Sequence, residues 1–283
     1  MKKLNFEALA DFLPEIVPEP TPEPLPSLKK MSVDDLYKYD LTSMKWDDSE
    51  KRNYITIKSF KPCGRCHEGY IHIEEHNAMS PCPHCLQAER KAKRIERARL
   101  PLDATSKTFK NYEMKAEFKS LAAQVRRWSQ TQNKEAGPLI YGPPGTGKSH
   151  FAYACAHQLI WSGFKVRYAT HSSLLDLERA SWSDKKSESP LRNLLRGINV
   201  LILDEVGGVG GGYGKVSDWV KRTTSEMLDS IYRQWSSGDL YVLMISNVQL
   251  HVFMRTYNEA LQSRLREMVE PILINGEDRR NNP

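Results

Sequence analysis

The stretch Gly142-Pro143-Pro144-Gly145-Thr146-Gly147-Lys148-Ser149 decides the fold, because it fits the pattern G-x-x-x-x-G-K-[ST] at every position. A short apolar run at residues 139–141 precedes it, and a helical pattern over residues 149–161 follows it. A strand before the motif and a helix after it are the context that a phosphate-binding loop needs. The sequence therefore predicts such a loop, joining a strand to a helix in an α/β fold.

The residue types in this loop match the chemistry of nucleotide binding. Glycines let backbone N–H groups converge on phosphate oxygens, and the N-terminus of the following helix adds positive potential. Lys148 can reach the β- and γ-phosphates, and the hydroxyl of Ser149 can ligate Mg²⁺, so the loop predicts ATP and Mg²⁺ as cofactors. The candidate nucleotide-binding residues here are Gly142, Pro143, Pro144, Gly145, Thr146, Gly147, Lys148, Ser149 and His150.

A second motif lies at residues 200–205, where four apolar residues run into two acids. Asp204, at the end of a predicted buried strand, can hold the Mg²⁺ shell, and Glu205 can orient or deprotonate an attacking water. A hydrolase needs this second acid, whereas a small-molecule kinase does not. Asn247 follows the next predicted strand, where an amide can hydrogen-bond a γ-phosphate oxygen or the water. We therefore predict catalytic roles for Glu205 and Asn247.

From about residue 100 the chain alternates between short apolar runs and longer helical patterns. This alternation predicts a parallel sheet with right-handed crossovers. The predicted strands are residues 139–141, 166–169, 200–203, 241–245 and 272–274, and the longest predicted helices are residues 149–161 and 216–235.

Composition bounds the class of protein. The chain has 283 residues and a mass of 32.5 kDa, which suggests about two domains, or one domain with extensions. Its 40% apolar content excludes a wholly disordered chain. The net charge of +6 permits nucleic-acid binding without proving it. With no run of 18 apolar residues and no secretory signal pattern, we expect a cytoplasmic protein that does not cross a membrane.

Two cysteine pairs predict a metal site. Cys63-x₂-Cys66 and Cys82-x₂-Cys85 are separated by 15 residues, a spacing that can close a tetrahedral Zn²⁺ site. With all four positions filled by cysteine, the site would be structural. The fifth cysteine, Cys155, falls inside the helix after the phosphate loop and is expected in the core.

The N-terminal part divides into two predicted units. Residues 1–56 form a partly disordered tail with short helices at 4–13 and 32–50 and a proline-rich spacer between them, which is either a plain tail or a tethered peptide that docks on a partner. Residues 57–99 form the zinc module and a basic helix whose positive run is either a solvated face or a nucleic-acid contact. Residues 100–283 form the α/β domain.

The motifs together resemble the AAA+ ATPases, since GPPGTGK, Asp204-Glu205 and Asn247 occur in that family's order. Within AAA+, the chain is similar to the DnaC, DnaI and IstB group of helicase loaders and transposition helpers. The similar stretches include residues 108–112 before the loop and residues 263–266 near the end. The resemblance covers about residues 100–283 and implies a domain without the C-terminal helical lid found in most AAA+ proteins.

The resemblance also implies roles for residues outside the nucleotide motifs. Arg264 would be an arginine finger that reaches a neighbouring subunit's γ-phosphate, with Arg266 as the competing choice, and Arg280 would take the sensor-2 role. The glycine-rich stretch 207–215 would face a central channel, where Tyr213 could stack on a base and Lys215 meet a phosphate. A flexible linker is the alternative for this stretch.

By this resemblance we expect an ATP-dependent loader of a hexameric replicative DNA helicase onto single-stranded DNA, in a bacterial cell or a phage-infected host. The loader would self-associate in an ATP-dependent ring or spiral and hold the helicase with its zinc module and tail. One alternative is an IstB-type transposition helper that binds duplex DNA. The other is a zinc-dependent DNA-binding adaptor whose phosphate loop binds ATP with little turnover.

Overall fold

The computed structural model of the chain describes residues 42–47, 52–57, 66–67, 69–73, 78–112, 116–181, 190–208, 216–255 and 257–279. Within those ranges the strands are β1 Thr42–Asp47, β2 Arg52–Ile57, β3 Tyr70–Ile73, β4 Ala78–Pro81, β5 Gly137–Tyr141, β6 Val166–Thr170, β7 Val200–Asp204, β8 Tyr241–Ser246 and β9 Val269–Leu273. The helices there are α1 Pro83–Ala98, α2 Ala116–Thr131, α3 Lys148–Trp161, α4 His171–Ser181, α5 Pro190–Leu195, α6 Asp218–Ser236, α7 Leu250–Arg255 and α8 Glu259–Met268.

The central sheet has five parallel strands in the order β6-β7-β8-β5-β9. β7 and β8 are buried along their whole length, which explains their unbroken apolar sequences. Four predicted strands correspond to β5 through β8, whereas the fifth begins at Val269, three residues before the predicted start. The predicted α/β fold with a parallel sheet flanked by helices is confirmed.

Helices cover both faces of the sheet and bury two apolar clusters. One cluster joins α1, α2 and α3 to the sheet, and the other joins α4, α5, α6 and α8 to it. Cys155 is fully enclosed in the first cluster, as predicted. After β9, the described residues 274–279 are not helical.

The strand order places the predicted nucleotide residues at one edge. The phosphate loop follows β5, Glu205 follows β7 and Asn247 follows β8, and β8 lies between the other two strands. Carboxyl ends of parallel strands meet at the same edge of a sheet, which is where α/β proteins bind ligands.

The helix predicted over residues 32–50 is wrong at residues 42–47, which form β1. This strand pairs antiparallel with β2, where Ile55 and its β-branched neighbours favour a strand. Ile55 is fully buried, and its N–H donates to the carbonyl of Leu100 at 2.9 Å. These tertiary contacts favour a strand over the predicted helix at residues 42–47. The rest of the predicted helix, and the one at residues 4–13, lie outside the described residues.

The basic helix packs into the same core as the phosphate-loop helix. Ile95 and Ala98 of α1 share a cluster with Phe151 of α3. Lys91 is buried, with its ammonium group 4.3 Å from the centre of the Trp161 ring. The positive run is therefore not uniformly solvent-exposed. The domain boundaries at residues 56/57 and 99/100 stay predictions.

Among the described residues, the helices are all too short or too polar to span a membrane.

Candidate functional site

The phosphate loop wraps from the end of β5 into the start of α3, and Gly142 and Gly147 illustrate why it needs glycine. At Gly142 a Cβ atom would lie 2.1 Å from the carbonyl oxygen of Ile274, so a side chain there would collide with the backbone after β9. Gly147 caps the N-terminus of α3 with a φ of 94°, in the left-handed region that favours glycine. The loop thus keeps the shape that its sequence pattern predicts.

Lys148 lies buried over this loop. Its ammonium group donates to the carbonyl oxygen of Gly142 at 3.0 Å and approaches the hydroxyl of Thr146 at 3.4 Å. The Thr146 hydroxyl in turn donates to the carbonyl of Pro143 at 3.1 Å. The ammonium group of Lys148 is therefore held within the turn whose N–H groups would bind phosphates.

Asp204 is buried at the end of β7, beside Ser149. Burial raises the pKa of Asp204, while a hydrogen bond from the Ser149 hydroxyl, other hydrogen bonds and the charge of Lys148 lower it. A serine hydroxyl and a carboxylate are hard oxygen donors of the kind that Mg²⁺ prefers. The structure brings together the two predicted Mg²⁺ residues, and their chemistry fits that ion.

Glu205 follows Asp204 with an unusual backbone conformation. Its φ is 57°, a left-handed value that is rare for a non-glycine residue and that clusters at functional sites. Partial burial, and next the charge of Asp204, raise the pKa of its carboxyl. A raised pKa makes the carboxylate a better proton acceptor, which suits the predicted catalytic role.

Asn247 is exposed at the first position after β8. Its neighbour Ser246 is buried, donates to the carbonyl of Val206 at 2.7 Å and accepts from the N–H of Val248 at 3.0 Å. This serine ties the loop after Glu205 to the loop that carries Asn247. Sequence reasoning assigned no role to Ser246, because its contact with Val206 joins residues that are 40 positions apart in the sequence.

The segment before the loop forms one wall of the site. His150 Nε2 lies 3.2 Å from the carbonyl of Thr108 and 3.3 Å from Oδ1 of Asn111. The Tyr112 ring packs edge-on against His150 at 4.7 Å, and its hydroxyl donates to the Gly147 carbonyl at 3.4 Å. Burial lowers the pKa of His150. His150 thus links the segment at residues 108–112 to the phosphate loop.

The C-terminal segment lies along the same loop. The N–H of Arg279 donates to the carbonyl of Gly145 at 3.0 Å, and its guanidinium lies 5.5 Å from the centre of the Tyr112 ring. The Asp278 carboxylate packs against Gly145. Arg280, the predicted sensor-2 residue, lies outside the described residues. The adjacent Arg279 was not among the residues that the sequence predicted for the site.

The candidate arginine finger lies on α8. Arg264 forms an ion pair with Asp229 of α6, and its guanidinium lies 5.7 Å from the centre of the Tyr232 ring. Arg266, the competing choice, is exposed on the same helix. Tyr213 and Lys215, the candidate DNA contacts, lie outside the described residues.

Three of the four predicted zinc cysteines converge. The Sγ atoms of Cys66, Cys82 and Cys85 all lie within 4.8 Å of one another, and those of Cys66 and Cys85 are 3.5 Å apart. Cys63 lies outside the described residues. Three thiols at these separations fit Zn²⁺, which takes cysteine ligands in a tetrahedron.

Known proteins similar to this chain include helicase loaders and insertion-sequence ATP-binding proteins. The profile of the IstB-like ATP binding proteins matches residues 83–260. The replicative helicase loader DnaC of Buchnera aphidicola is 26% identical over 164 residues, which cover 56% of this chain and 63% of that protein. An insertion-sequence ATP-binding protein of Sinorhizobium fredii is 31% identical over 123 residues, covering 42% of this chain and 41% of that protein.

The DnaC of Escherichia coli K12 is 24% identical over 163 residues, or 56% of this chain and 62% of that protein. The chain thus spans about three-fifths of the length of these loaders. A crystal structure of the DnaC helicase loader covers 62% of this chain and 99% of its own, with a TM-score of 0.50 at 18% identity, so the two share a fold.

Proposed function

The chain belongs to the IstB-like ATP-binding protein family, a family of AAA+ P-loop ATPases, and we propose that it uses ATP to load a hexameric replicative helicase onto single-stranded DNA. The similarity to loaders named DnaC, over more than half of this chain, carries the proposal. The process would take place in the cytoplasm of a bacterium or of a phage-infected cell.

In this proposal the residues at the carboxyl edge of the sheet bind and cleave ATP. Lys148 and the loop N–H groups hold the phosphates, and Ser149 and Asp204 hold Mg²⁺. The ion supplies positive charge that stabilises the transferred phosphoryl group. Glu205 orients the attacking water and accepts its proton, and Asn247 hydrogen-bonds the γ-phosphate or that water.

Arg264 completes the site from a neighbouring subunit. A guanidinium remains charged and presents a rigid fork of donors, which suits binding to a γ-phosphate across an interface. ATP bound at one subunit would then order its contact with the next, giving a ring or spiral. Arg280, together with the adjacent Arg279, whose N–H donates to the phosphate loop, would act within the same subunit.

The N-terminal units would hold the helicase. Cys66, Cys82 and Cys85, with Cys63, would bind Zn²⁺ and so fix β3, β4 and the start of α1. The module at residues 57–99 and the tail at residues 1–56 would contact the helicase, while Tyr213 and Lys215 would contact single-stranded DNA. Hydrolysis would release the loader.

The first test is the mass of the complex with a hexameric replicative helicase in ATP or ADP, measured by light scattering after gel filtration. We expect a complex in ATP, a longer-lived one with Glu205→Gln and none with Lys148→Ala. Equal complexes under all these conditions would contradict nucleotide gating. No complex in either nucleotide would contradict the loader function.

A second candidate function is that of a transposition helper, which the similarity to an insertion-sequence ATP-binding protein favours. Such a protein would prefer duplex to single-stranded DNA and would bind a transposase. The adaptor alternative predicts an ATP turnover that neither DNA nor helicase changes. The preference between duplex and single-stranded DNA and the rate of ATP turnover can both be measured on the same purified protein.

A further inference from the structure

A buried tyrosine on β6 contacts the acid that we assign to Mg²⁺. The hydroxyl of Tyr168 donates to Oδ2 of Asp204 at 3.1 Å. In the register of the two strands, Tyr168 pairs with Ile202, two residues before Asp204. Every second side chain of a strand lies on the same face, so Tyr168 and Asp204 project from the same face of the sheet.

A second tyrosine supports the first. The hydroxyl oxygens of Tyr153, on α3, and Tyr168 are 3.1 Å apart. Because Tyr168 gives its proton to the carboxylate, which as an anion only accepts, Tyr153 must be the donor in this second bond. The chain of donation therefore runs from Tyr153 to Tyr168 to Asp204.

All three side chains are out of contact with bulk water. Tyr153, Tyr168 and Asp204 are exposed by 5%, 2% and 3%. The other oxygen of Asp204, Oδ1, accepts from the N–H of Glu205 at 2.7 Å. Both carboxylate oxygens thus have a fixed donor, and these donors restrict the carboxylate to one orientation.

We propose that Tyr168 is a positioning residue for the metal carboxylate, and that Tyr153 orients Tyr168. Groups that hydrogen-bond a metal-ligating side chain preset its direction and so raise metal affinity. Neither tyrosine contacts the nucleotide in this account. The inference rests on the role proposed above for Asp204.

The experiment compares the affinity for a fluorescent ATP analogue in Mg²⁺ with that in excess EDTA. The dissociation constant in EDTA, divided by that in Mg²⁺, measures how much the metal contributes to binding. We expect Tyr168→Phe to lower this ratio about tenfold with an unchanged dissociation constant in EDTA. Tyr153→Phe should lower it less, since the bond from Tyr168 to Asp204 survives.

Tyr241→Phe is the matched control. Tyr241 is a buried tyrosine on β8, stacked on Trp128 at 4.4 Å, and its hydroxyl has no hydrogen-bond partner among the described residues. Removing this hydroxyl should leave the ratio at the wild-type value. Asp204→Asn should abolish most of the metal contribution.

The variants separate the two possible failures. A wild-type ratio in Tyr168→Phe, with a collapsed ratio in Asp204→Asn, would overturn the positioning role and leave Asp204 as the metal residue. A wild-type ratio in Asp204→Asn would overturn the role of Asp204 and the inference with it. Equal weakening in Mg²⁺ and EDTA by Tyr168→Phe would indicate a packing role and overturn the proposal.

Discussion

Arg264 on α8 and Asp229 on α6 form an ion pair between two helices, and 41% of the Arg264 side chain remains exposed. The same carboxylate pairs with Arg233 at 3.0 Å. The contact gives a partly exposed guanidinium a defined direction, and the ion pair offsets part of the rotamer entropy that this order costs. A residue that acts on the nucleotide of a neighbouring subunit needs both properties.

Arg264→Ala is expected to keep ATP binding and to lower the hydrolysis rate of the assembled protein by about 10³. Mixing it with Glu205→Gln should restore activity, because the second variant supplies an intact finger to the first variant's intact site. Steady-state ATPase assays of the two variants, alone and mixed, measure this.

Arg266→Ala is the control, since it removes an exposed charge from the same helix. We expect near wild-type hydrolysis from it. If Arg266→Ala lost activity and Arg264→Ala did not, the finger would be Arg266. If mixing Arg264→Ala with Glu205→Gln restored nothing while each variant still assembled, Arg264 would not act across subunits.

Gly145→Ala tests the contact between the phosphate loop and the C-terminal segment. A Cβ atom at Gly145 would lie 1.9 Å from Oδ1 of Asp278, and Gly145 has a φ of 76°. We expect this change to displace the segment that carries Arg279 and to weaken ATP binding about tenfold or more, because one misplaced ångström in a binding loop has such effects. Isothermal titration with ATP provides the measurement.

Gly238→Ala is the matched variant, with a φ of 86° and nothing within 4 Å of the new Cβ. Both changes carry the backbone cost of roughly 1–2 kcal/mol for a side chain at positive φ, so the free energy of unfolding should fall in both. ATP affinity should respond to Gly145→Ala alone. If Gly145→Ala bound ATP as tightly as Gly238→Ala, the C-terminal segment would have no part in the site.

His171 links the loop after Glu205 to α6 and should make stability depend on pH. Its Nδ1 accepts from the N–H of Gly207 at 3.3 Å, so Nε2 carries the proton and donates to the hydroxyl of Thr224 at 2.8 Å. Burial lowers the pKa of His171 to about 4. As the pH falls from 6.5 towards 4, the imidazole of His171 becomes protonated in the unfolded chain but stays neutral in the folded chain.

The free energy of unfolding should therefore fall with falling pH in that window, by at most about 1.4 kcal/mol per pH unit from this group. His171→Gln should remove this contribution to the pH dependence of the free energy of unfolding. His251→Gln, at an exposed position on α7, should retain it. Urea unfolding at several pH values measures both. Identical slopes in wild type and His171→Gln would contradict a buried neutral imidazole.

The cysteine cluster predicts one Zn²⁺ per chain. Cys82→Ser removes a buried thiol of the cluster and should lower bound zinc severalfold, as measured by metal analysis and release to a colorimetric chelator. Cys155→Ala removes a thiol from the core, where burial raises the pKa of Cys155, and should retain the zinc. Zinc-free wild-type protein that folds normally would contradict the metal assignment.

The sequence was sufficient for the parts of this molecule that depend on local pattern. The phosphate loop, Asp204 and four strands were predictable because glycine spacing and unbroken apolar runs report directly on turns and buried parallel strands. The resemblance to the DnaC, DnaI and IstB group is confirmed at the family level by the profile match to the IstB-like ATP-binding proteins.

The remaining features depend on contacts between distant parts of the chain. Tyr168 and Asp204 are 36 residues apart, and His171 and Thr224 are 53 apart. The register of β6 and β7 makes the first pair neighbours, and the packing of α4 against α6 does so for the second, and no local pattern encodes either. The strand β1 was mistaken for a helix for the same reason, since its partner β2 is held by the backbone contact of Ile55 with Leu100.

The most direct test of loading uses a closed circle of single-stranded DNA, which a ring-shaped helicase cannot enter from an end. A hexameric replicative helicase is incubated with the circle, this protein and ATP, and the helicase that remains on the DNA after gel filtration is measured. Our account predicts a large gain over helicase alone, which Lys148→Ala abolishes. An equal amount of bound helicase with and without this protein would contradict it.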